Sequence, residues 1–403
     1  MNDIHRTYDV VVIGAGPVGE NVAERTRAAG LSTVIVESEL LGGECSFWAC
    51  EPSKALLRPV LARADALRVP GLRRAVDKPL DVPAVLAHRD DIVQHWQDDD
   101  QVDWLESVSV DLVRGRLAGP RQAVVSTPDG ETVRLSARHA VAVCTGTGPA
   151  MPDLPHLDDI RPWTNREVTS ADRVPGRLAV VGGGVVAVEM ATTRRALGAE
   201  VIMLVRGSGL ISRMEPFAGE MVADALREPG VDLRFGASVT SVTREEGADG
   251  EARITLADGG QLTANEILFA TGRVPRTGDI GLETIGLAPG DWLTVDDTCR
   301  VSAVTDGWLH AVGDVNHRAL LTHQGKYQAR IAGAVIGACA HGEPVDDSRW
   351  GPHLATADSE AVPQVIFADP EVAVVGLTTR GPLADVRTWG PACLQRDISD
   401  QWS

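Results

Sequence analysis

Cysteine is scarce: six residues in 403, too few for the disulfide lattice that staples small secreted folds. Positive charge is short as well. Lysine and arginine total 38 against 56 aspartates and glutamates, a formal charge of −18. That balance disfavours a nucleic-acid partner, whose phosphates want a basic face, and solubility is the plain reading of the charge. Long apolar runs are missing too. No stretch approaches the roughly 18 apolar residues of a membrane-spanning helix. The N-terminal run "YDVVVIGAG" breaks at Gly14 and reads as a buried strand, not a secretion signal. Together these absences predict a cytoplasmic protein with no membrane partner. In that compartment a structural disulfide is reduced and a catalytic one can cycle.

What is present suits a globular enzyme. A chain of 403 residues, 44% hydrophobic and 23% charged, is long enough for two or three domains with buried cores. From Tyr8 to Glu37 an apolar strand leads into Gly14-x-Gly16-x-x-Gly19, then a helix, then a strand ending in an acid. The glycines allow a tight turn and let backbone N–H groups approach a pyrophosphate; Glu37 stands where a carboxylate accepts ribose hydroxyls. A second copy runs from Arg177 to Gly207 as Gly182-x-Gly184-x-x-Ala187, and its second strand ends in Arg206. An acid there would repel a 2′-phosphate, whereas a guanidinium pairs with one, and Arg213 is a candidate second contact. This copy therefore favours NADPH, with NADH as the alternative. Two such units suggest hydride transfer between a nicotinamide and a flavin.

Between the copies, "GGECSFWACEPSK" (Gly42 to Lys54) sets Cys45 and Cys50 five positions apart. Residues 43–60 read as the opening of one helix with Pro52 early in it, whose positive end favours a thiolate. Lys54 adds a cation. Phe47 and Trp48, between the cysteines, are expected to pack. Residues 60–110 read as solvated helices. The run Asp98 to Asp100 and the histidines His88 and His95 lack the partners of a metal site, and no metal is expected. Cys144, Cys299, Cys339 and Cys393 read as inert thiols.

In this order the motifs resemble those of the flavoprotein disulfide reductases of the pyridine nucleotide family, which include glutathione reductase, dihydrolipoamide dehydrogenase, mycothione reductase and mercuric reductase. The resemblance covers about residues 8–376. Beyond the two fingerprints and the Gly-Gly-x-Cys-x4-Cys-x-Pro-Ser-Lys stretch, it includes "VCTGTGP" (Val143 to Pro149) and "FATGRVP" (Phe269 to Pro275), similar to the family's two crossovers. It also includes "LHAVGDV" (Leu309 to Val315) and "VIFADPEVAVVGLT" (Val365 to Thr378). The resemblance implies an α/β fold with two Rossmann-like units, the second inserted in the first. FAD-binding parts would span 1–152 and 275–345, an NAD(P) unit 153–274, and a linker with an incomplete α+β interface domain 346–403. It further implies bound FAD, held by Gly14, Gly16, Gly19, Glu37, Gly43, Thr145, Gly146, Gly272, Arg273, Gly313 and Asp314. Cys50 would face the flavin, Cys45 would attack the substrate disulfide, and Lys54 and Glu189 would pair where the nicotinamide docks.

The family's interface domain ends in a His-Pro-Thr-x-x-Glu-like stretch whose histidine serves the partner subunit, so the family implies a homodimer. After Gly376 this sequence contains no histidine. "HLATADSE" (His353 to Glu360) precedes the interface segment and by order is a linker, not that dyad. The expected activity is NAD(P)H-dependent reduction of a small-molecule disulfide or related acceptor. Direct reduction of quinones or dyes at the flavin, or a flavin-binding remnant without turnover, stand as the alternatives.

Overall fold

The computed structural model describes residues 4–108, 110–113, 115–126, 132–244 and 250–376. The chain enters through strand β1 (Ile4–Ile13), helix α1 (Pro17–Ala28) and β2 (Thr33–Val36). Helices α2 (Gly43–Phe47), α3 (Cys50–Arg68), α4 (Arg73–Val76), α5 (Val82–Ile92) and α6 (Asp99–Ser107) then run outside the sheet. Strands β3 (Asp111–Val113), β4 (Gly115–Gly119), β5 (Gln122–Ser126), β6 (Thr132–Val143) and β7 (Thr147–Pro149) follow. After α7 (Asn165–Ser170) comes a second alternation: β8 (Arg177–Val181), α8 (Val185–Ala196), β9 (Glu200–Val205), α9 (Pro216–Arg227) and β10 (Asp232–Phe235). Strands β11 (Val239–Arg244), β12 (Ala252–Leu256), β13 (Gln261–Ala264), β14 (Glu266–Phe269), β15 (Arg273–Pro275) and β16 (Leu309–Ala311) complete the sheets. Helices α10 (Thr322–His341) and α11 (Ala357–Glu360) lead to the hairpin β17 (Pro363–Ile366) and β18 (Val372–Val375).

The larger sheet has the order β3-β2-β1-β6-β5-β4, with β16 on β6. Its centre is parallel, and Val10, Val11 and Val12 of β1 are fully buried. That is why the strand reads as an unbroken β-branched run: a central parallel strand is covered on both faces. The second sheet, β10-β9-β8-β14, is parallel throughout, and the antiparallel β11-β12-β13 lies beside it. Strands β7 and β15, the two crossovers expected from sequence, pair antiparallel, so the chain leaves the first unit and returns to it at one place. An α/β fold with an inserted second Rossmann-like unit is thus observed. The tail from residue 377, including Cys393, lies outside the described residues. Among the described residues no helix is long and apolar enough to cross a membrane.

The second sheet is tied to the antiparallel one by a buried ion pair. Arg244 of β11 reaches Glu266 of β14 at 2.9 Å, and both side chains are nearly solvent-free (6% and 5% exposed). Arg173 joins from the half-exposed side. Removing one member of such a pair strands the other in a low-dielectric interior. Glu266→Ala is expected to cost about 3 kcal/mol in denaturant unfolding, and Arg173→Ala under about 1 kcal/mol because that arm is solvated.

Candidate active site

The first phosphate loop is shaped by contacts that exclude side chains. Gly14 has φ +102, and a Cβ there would lie 2.5 Å from the Cys144 carbonyl oxygen. A Cβ on Gly43, at the start of α2, would meet Gly16 Cα at 3.0 Å. The redox segment is therefore pressed directly on the glycine loop. A Cβ on Gly16, by contrast, would meet no atom of the described residues within 4 Å, so that side of the α1 N-terminus is open. Gly19 closes on the carbonyl of Gly14. Glu37 sits across this mouth: Ala15 N–H donates to Oε2 at 2.6 Å, and Ser38 and Glu39 N–H donate to Oε1 at 2.6 and 2.8 Å. The Thr145 hydroxyl is buried with no hydrogen-bond partner among the described residues, as is Oε1 of Glu20, whose carboxyl burial pushes up to about 7. Open space over a helix N-terminus, a carboxylate across its mouth and unpartnered polar atoms fit an extended dinucleotide such as FAD.

The second loop repeats the geometry. Gly182 has φ +132 against the Ala270 carbonyl, Gly184 caps α8 with no atom within 4 Å, and Ala187 is fully buried where the helix meets the sheet. Arg206 and Arg213 are exposed just past β9, and neither guanidinium has a hydrogen bond or ion pair among the described residues. Glu189, on the second turn of α8, is buried. Its carboxylate takes Lys54 Nζ at 2.9 and 3.2 Å and the Phe367 N–H at 3.2 Å. The Lys54 ammonium also lies 4.9 Å from the centre of the Phe367 ring. The expected Lys54–Glu189 pair forms, and it joins the cysteine helix to the second nucleotide unit.

The cysteine segment differs from expectation in one respect. Residues 43–60 do not open one helix: α2 ends at Phe47 and α3 starts at Cys50, with Ala49 at φ −135, ψ −91. The break has a cause. The Trp48 carbonyl turns outward to accept from Asn165 Nδ2 at 3.1 Å and Thr169 Oγ1 at 3.2 Å. Its indole lies under Arg166, 4.0 Å away. Arg166 and Arg276 hold Glu44 at 2.6 and 2.7 Å, and Asn165 holds it at 2.7 Å. On one continuous helix, residues five apart point about 140° away from each other. The break lets Cys45 and Cys50 meet. The two are unbridged. Thr322, the first residue of α10, spans both, with Oγ1 at 3.2 Å from Cys45 Sγ and 3.4 Å from Cys50 Sγ.

The pair is electrically asymmetric. The Cys45 hydrogen bond, the Thr322 hydroxyl and the Lys54 charge hold Cys50 below the ordinary thiol range, against burial and Asp314. The bond to Cys50 and burial push Cys45 well above it. One proton shared between two sulfurs explains both directions, and Cys50 also begins a long helix whose N-cap, Ala49, offers no side-chain acceptor.

The crossovers build the floor. Asp314 Oδ2 accepts from the Thr147 hydroxyl at 2.8 Å, and burial pushes its carboxyl up. Arg273 spends its guanidinium on Thr147 Oγ1 (3.0 Å), the Thr147 carbonyl (2.7 Å) and Asn165 Oδ1 (3.0 Å). It therefore braces Thr147, while Gly146 at φ +66 and Gly272 at φ +137 turn the two chains. Sequence reasoning missed Thr322, Glu20 and the Glu44–Arg166–Arg276 cluster. Thr322 lies 272 residues beyond Cys50, in no glycine fingerprint; its one signal is a threonine at the first turn of the helix after "GDV". Of the other cysteines, Cys144 and Cys299 are buried and pushed up by burial, while Cys339 is exposed with Arg300 Nη2 at 2.8 Å.

Comparison with known proteins agrees with this geometry. The profile of the family described as pyridine nucleotide-disulphide oxidoreductase matches residues 8–333. A mercuric reductase of Streptomyces lividans is 32% identical over 390 residues, covering 94% of this chain and 77% of its own. Dihydrolipoyl dehydrogenase 3 of Pseudomonas aeruginosa is 33% identical over 387 residues, covering 92% and 77%. Among solved structures, LpdA from Mycobacterium tuberculosis superposes with a TM-score of 0.75 at 27% identity, covering 93% of this chain and 78% of that one. The Cu(II) complex of the flavoprotein disulfide reductase RclA from Escherichia coli shares the fold, with a TM-score of 0.77 at 21% identity over 93% of this chain and 78% of that one.

The Thr322 hydroxyl gives a direct test of the thiol electrostatics. A hydrogen bond to a charged sulfur is worth about 1.5–3 kcal/mol, so Thr322→Val is expected to raise the Cys50 titration by about one pH unit. The ultraviolet absorbance of the thiolate in the reduced protein reads it. In the parent protein, thiolate absorbance and alkylation of Cys50 are expected to persist below the ordinary thiol range and to fall only as pH drops through the depressed value.

Proposed function

The chain belongs to the pyridine nucleotide-disulphide oxidoreductase family, and from that premise we propose that it uses NADPH to reduce the Cys45–Cys50 disulfide and, with the resulting thiols, a small-molecule disulfide. Bound FAD supplies the two-electron link between nicotinamide and disulfide. In this reading FAD lies across residues 1–152 and 275–345, and the nicotinamide unit spans 153–274.

The observation that carries the proposal is the pair of sulfurs joined by the Thr322 hydroxyl and flanked by the Lys54–Glu189 ion pair. The hydride of NADPH amounts to two electrons and one proton. The bridged pair takes them up as a Cys45 thiol and a Cys50 thiolate, the distribution that the local electrostatics favour. For exchange, the Cys45 proton passes to the neighbouring Cys50, and the Cys45 thiolate attacks the substrate disulfide and expels the first thiolate. The proton on Cys50 then goes to that leaving group. Cys50 attacks the mixed disulfide, expels the second thiolate and restores the bridge. Thr322 stays within reach of whichever sulfur carries the charge. Lys54, held by Glu189, offsets the negative charge arriving at Cys50.

Nucleotide choice follows from Arg206 and Arg213. Both stand unpaired among the described residues beyond β9, available to a 2′-phosphate. Arg206→Ala is expected to raise KM for NADPH about tenfold, the loss of one charge-assisted contact, while leaving KM for NADH unchanged; an equal change with both nucleotides contradicts the assignment. The relay itself is tested by thiol counting on the oxidised holoprotein. One equivalent of NADPH under anaerobic conditions should expose two alkylatable thiols, located at Cys45 and Cys50 by peptide mapping. Oxidation of NADPH with no new thiols at those positions would overturn the reading in favour of direct reduction of acceptors at the flavin.

A further inference from the structure

Asp358 lies on α11, in the stretch that sequence order marks as a linker, yet its side chain is 1% exposed. A carboxylate buried that deeply must be surrounded by donors. Gln324 Nε2 reaches Oδ1 at 2.7 Å, Gln328 Nε2 reaches Oδ2 at 2.8 Å, and Arg318 Nε approaches Oδ2 at 3.1 Å. All three come from α10 or the turn before it. Ionised, the carboxylate accepts and cannot donate, so both glutamines must present their NH2 groups to it.

For Gln328 that requirement settles the opposite end of the amide. Its Oε1 is turned to accept the Gly313 N–H at 2.7 Å and Asn316 Nδ2 at 2.7 Å. Gly313 has φ +82 and packs against Val18 of α1. The next residue is Asp314, whose carboxylate meets Thr147. For Gln324 the same requirement anchors the first turn of α10, two residues past the Thr322 hydroxyl that spans the sulfurs. One carboxylate thus stands behind two separate parts of the site.

We propose that Asp358 is a positioning residue: it fixes the amide polarity of Gln324 and Gln328, and through them sets the Gly313–Asp314 loop and the Thr322 turn. It touches neither thiol. The inference rests on the functional reading above only in naming FAD as the group that the loop holds.

Polarity separates this role from packing. Asp358→Asn keeps the shape but brings an NH2 into a ring of donors. Gln328 then turns over and sets its own NH2 against the Gly313 N–H. Gln328→Glu instead places two carboxylates together. Asp358→Asn combined with Gln328→Glu rebuilds the bonds to Gly313, Asn316 and Gln324 and forfeits the Arg318 contact, whose guanidinium keeps Asp297 and the Asp296 carbonyl. The carboxylate now at position 328 accepts from Gly313, Asn316 and the amide now at position 358, and the oxygen of that amide accepts from Gln324.

FAD affinity of the apoprotein, read by fluorescence, is expected to fall at least about tenfold in each single variant, the scale of one buried polar mismatch. In the double variant it should recover to a value tighter than in either single variant, the Arg318 contact being the part that is not rebuilt. Titration of the Cys50 thiolate should follow the same pattern. Unchanged affinity and titration in Asp358→Asn would overturn the proposal, as would a double variant no better than the worse single one. If Asp358→Asn does not fold, the double variant decides: a soluble product that binds FAD more tightly than Gln328→Glu supports the polarity lock, and one that does not, or an insoluble one, refutes it. If the parent takes up no FAD, the functional reading fails by itself. The thiolate titration then decides this inference alone, shifted in Asp358→Asn and moved back toward the parent in the double variant if it holds, unchanged if it does not.

Discussion

Three segments that are far apart in sequence meet at the carboxylate of Glu189. Lys54 comes from the helix that begins with Cys50, Glu189 from the helix that opens the second nucleotide unit, and Phe367 from the hairpin near the end of the described chain. Because Glu189 is nearly solvent-free, its charge has to be matched where it stands, and Lys54 and the Phe367 N–H are what match it. The ion pair therefore does more than hold a lysine near the thiols. It ties the helix that begins with Cys50 to the second nucleotide unit, and in the proposed function it sets where a nicotinamide would dock relative to the sulfurs.

The asymmetry of the two sulfurs follows from where the helices stop. Had α2 and α3 run together, the cysteines would point to different sides and neither would feel the other. The Trp48 carbonyl, taken by Asn165 and Thr169, breaks the helix, and the break leaves Cys50 at the start of α3 with Thr322 and Lys54 beside it. Cys45 stays in the short helix and keeps the proton. A thiolate favoured at Cys50 and a thiol favoured at Cys45 are the two states a dithiol relay needs.

Much of this was legible in the sequence because the chemistry requires particular residues at fixed local spacing. The glycines of both fingerprints, Glu37, the cysteine pair, Lys54 and Glu189 are of that kind, and the structure brings them together as two Rossmann-like units with paired crossovers. What was not legible depends on contacts across long separations. Thr322 is an ordinary threonine until α10 is seen to begin at the sulfurs. Asp358 reads as one acid in a linker until two glutamines and an arginine are found around it. The helix break at Trp48 is invisible because nothing in "SFWA" is a helix breaker; the cause lies in Asn165 and Thr169, 117 and 121 residues away. Glu44 likewise becomes intelligible only with Arg166 and Arg276 in place.

The central claim is that electrons from the nicotinamide reach a thiolate at Cys50 that lies against the flavin. Anaerobic titration of the purified, FAD-loaded protein with NADPH, followed by visible absorption, tests it most directly. The account predicts a long-wavelength charge-transfer band after one equivalent, absent in Cys50→Ser and retained in Cys45→Ser. Bleaching of the flavin with no such band in the parent protein would contradict it.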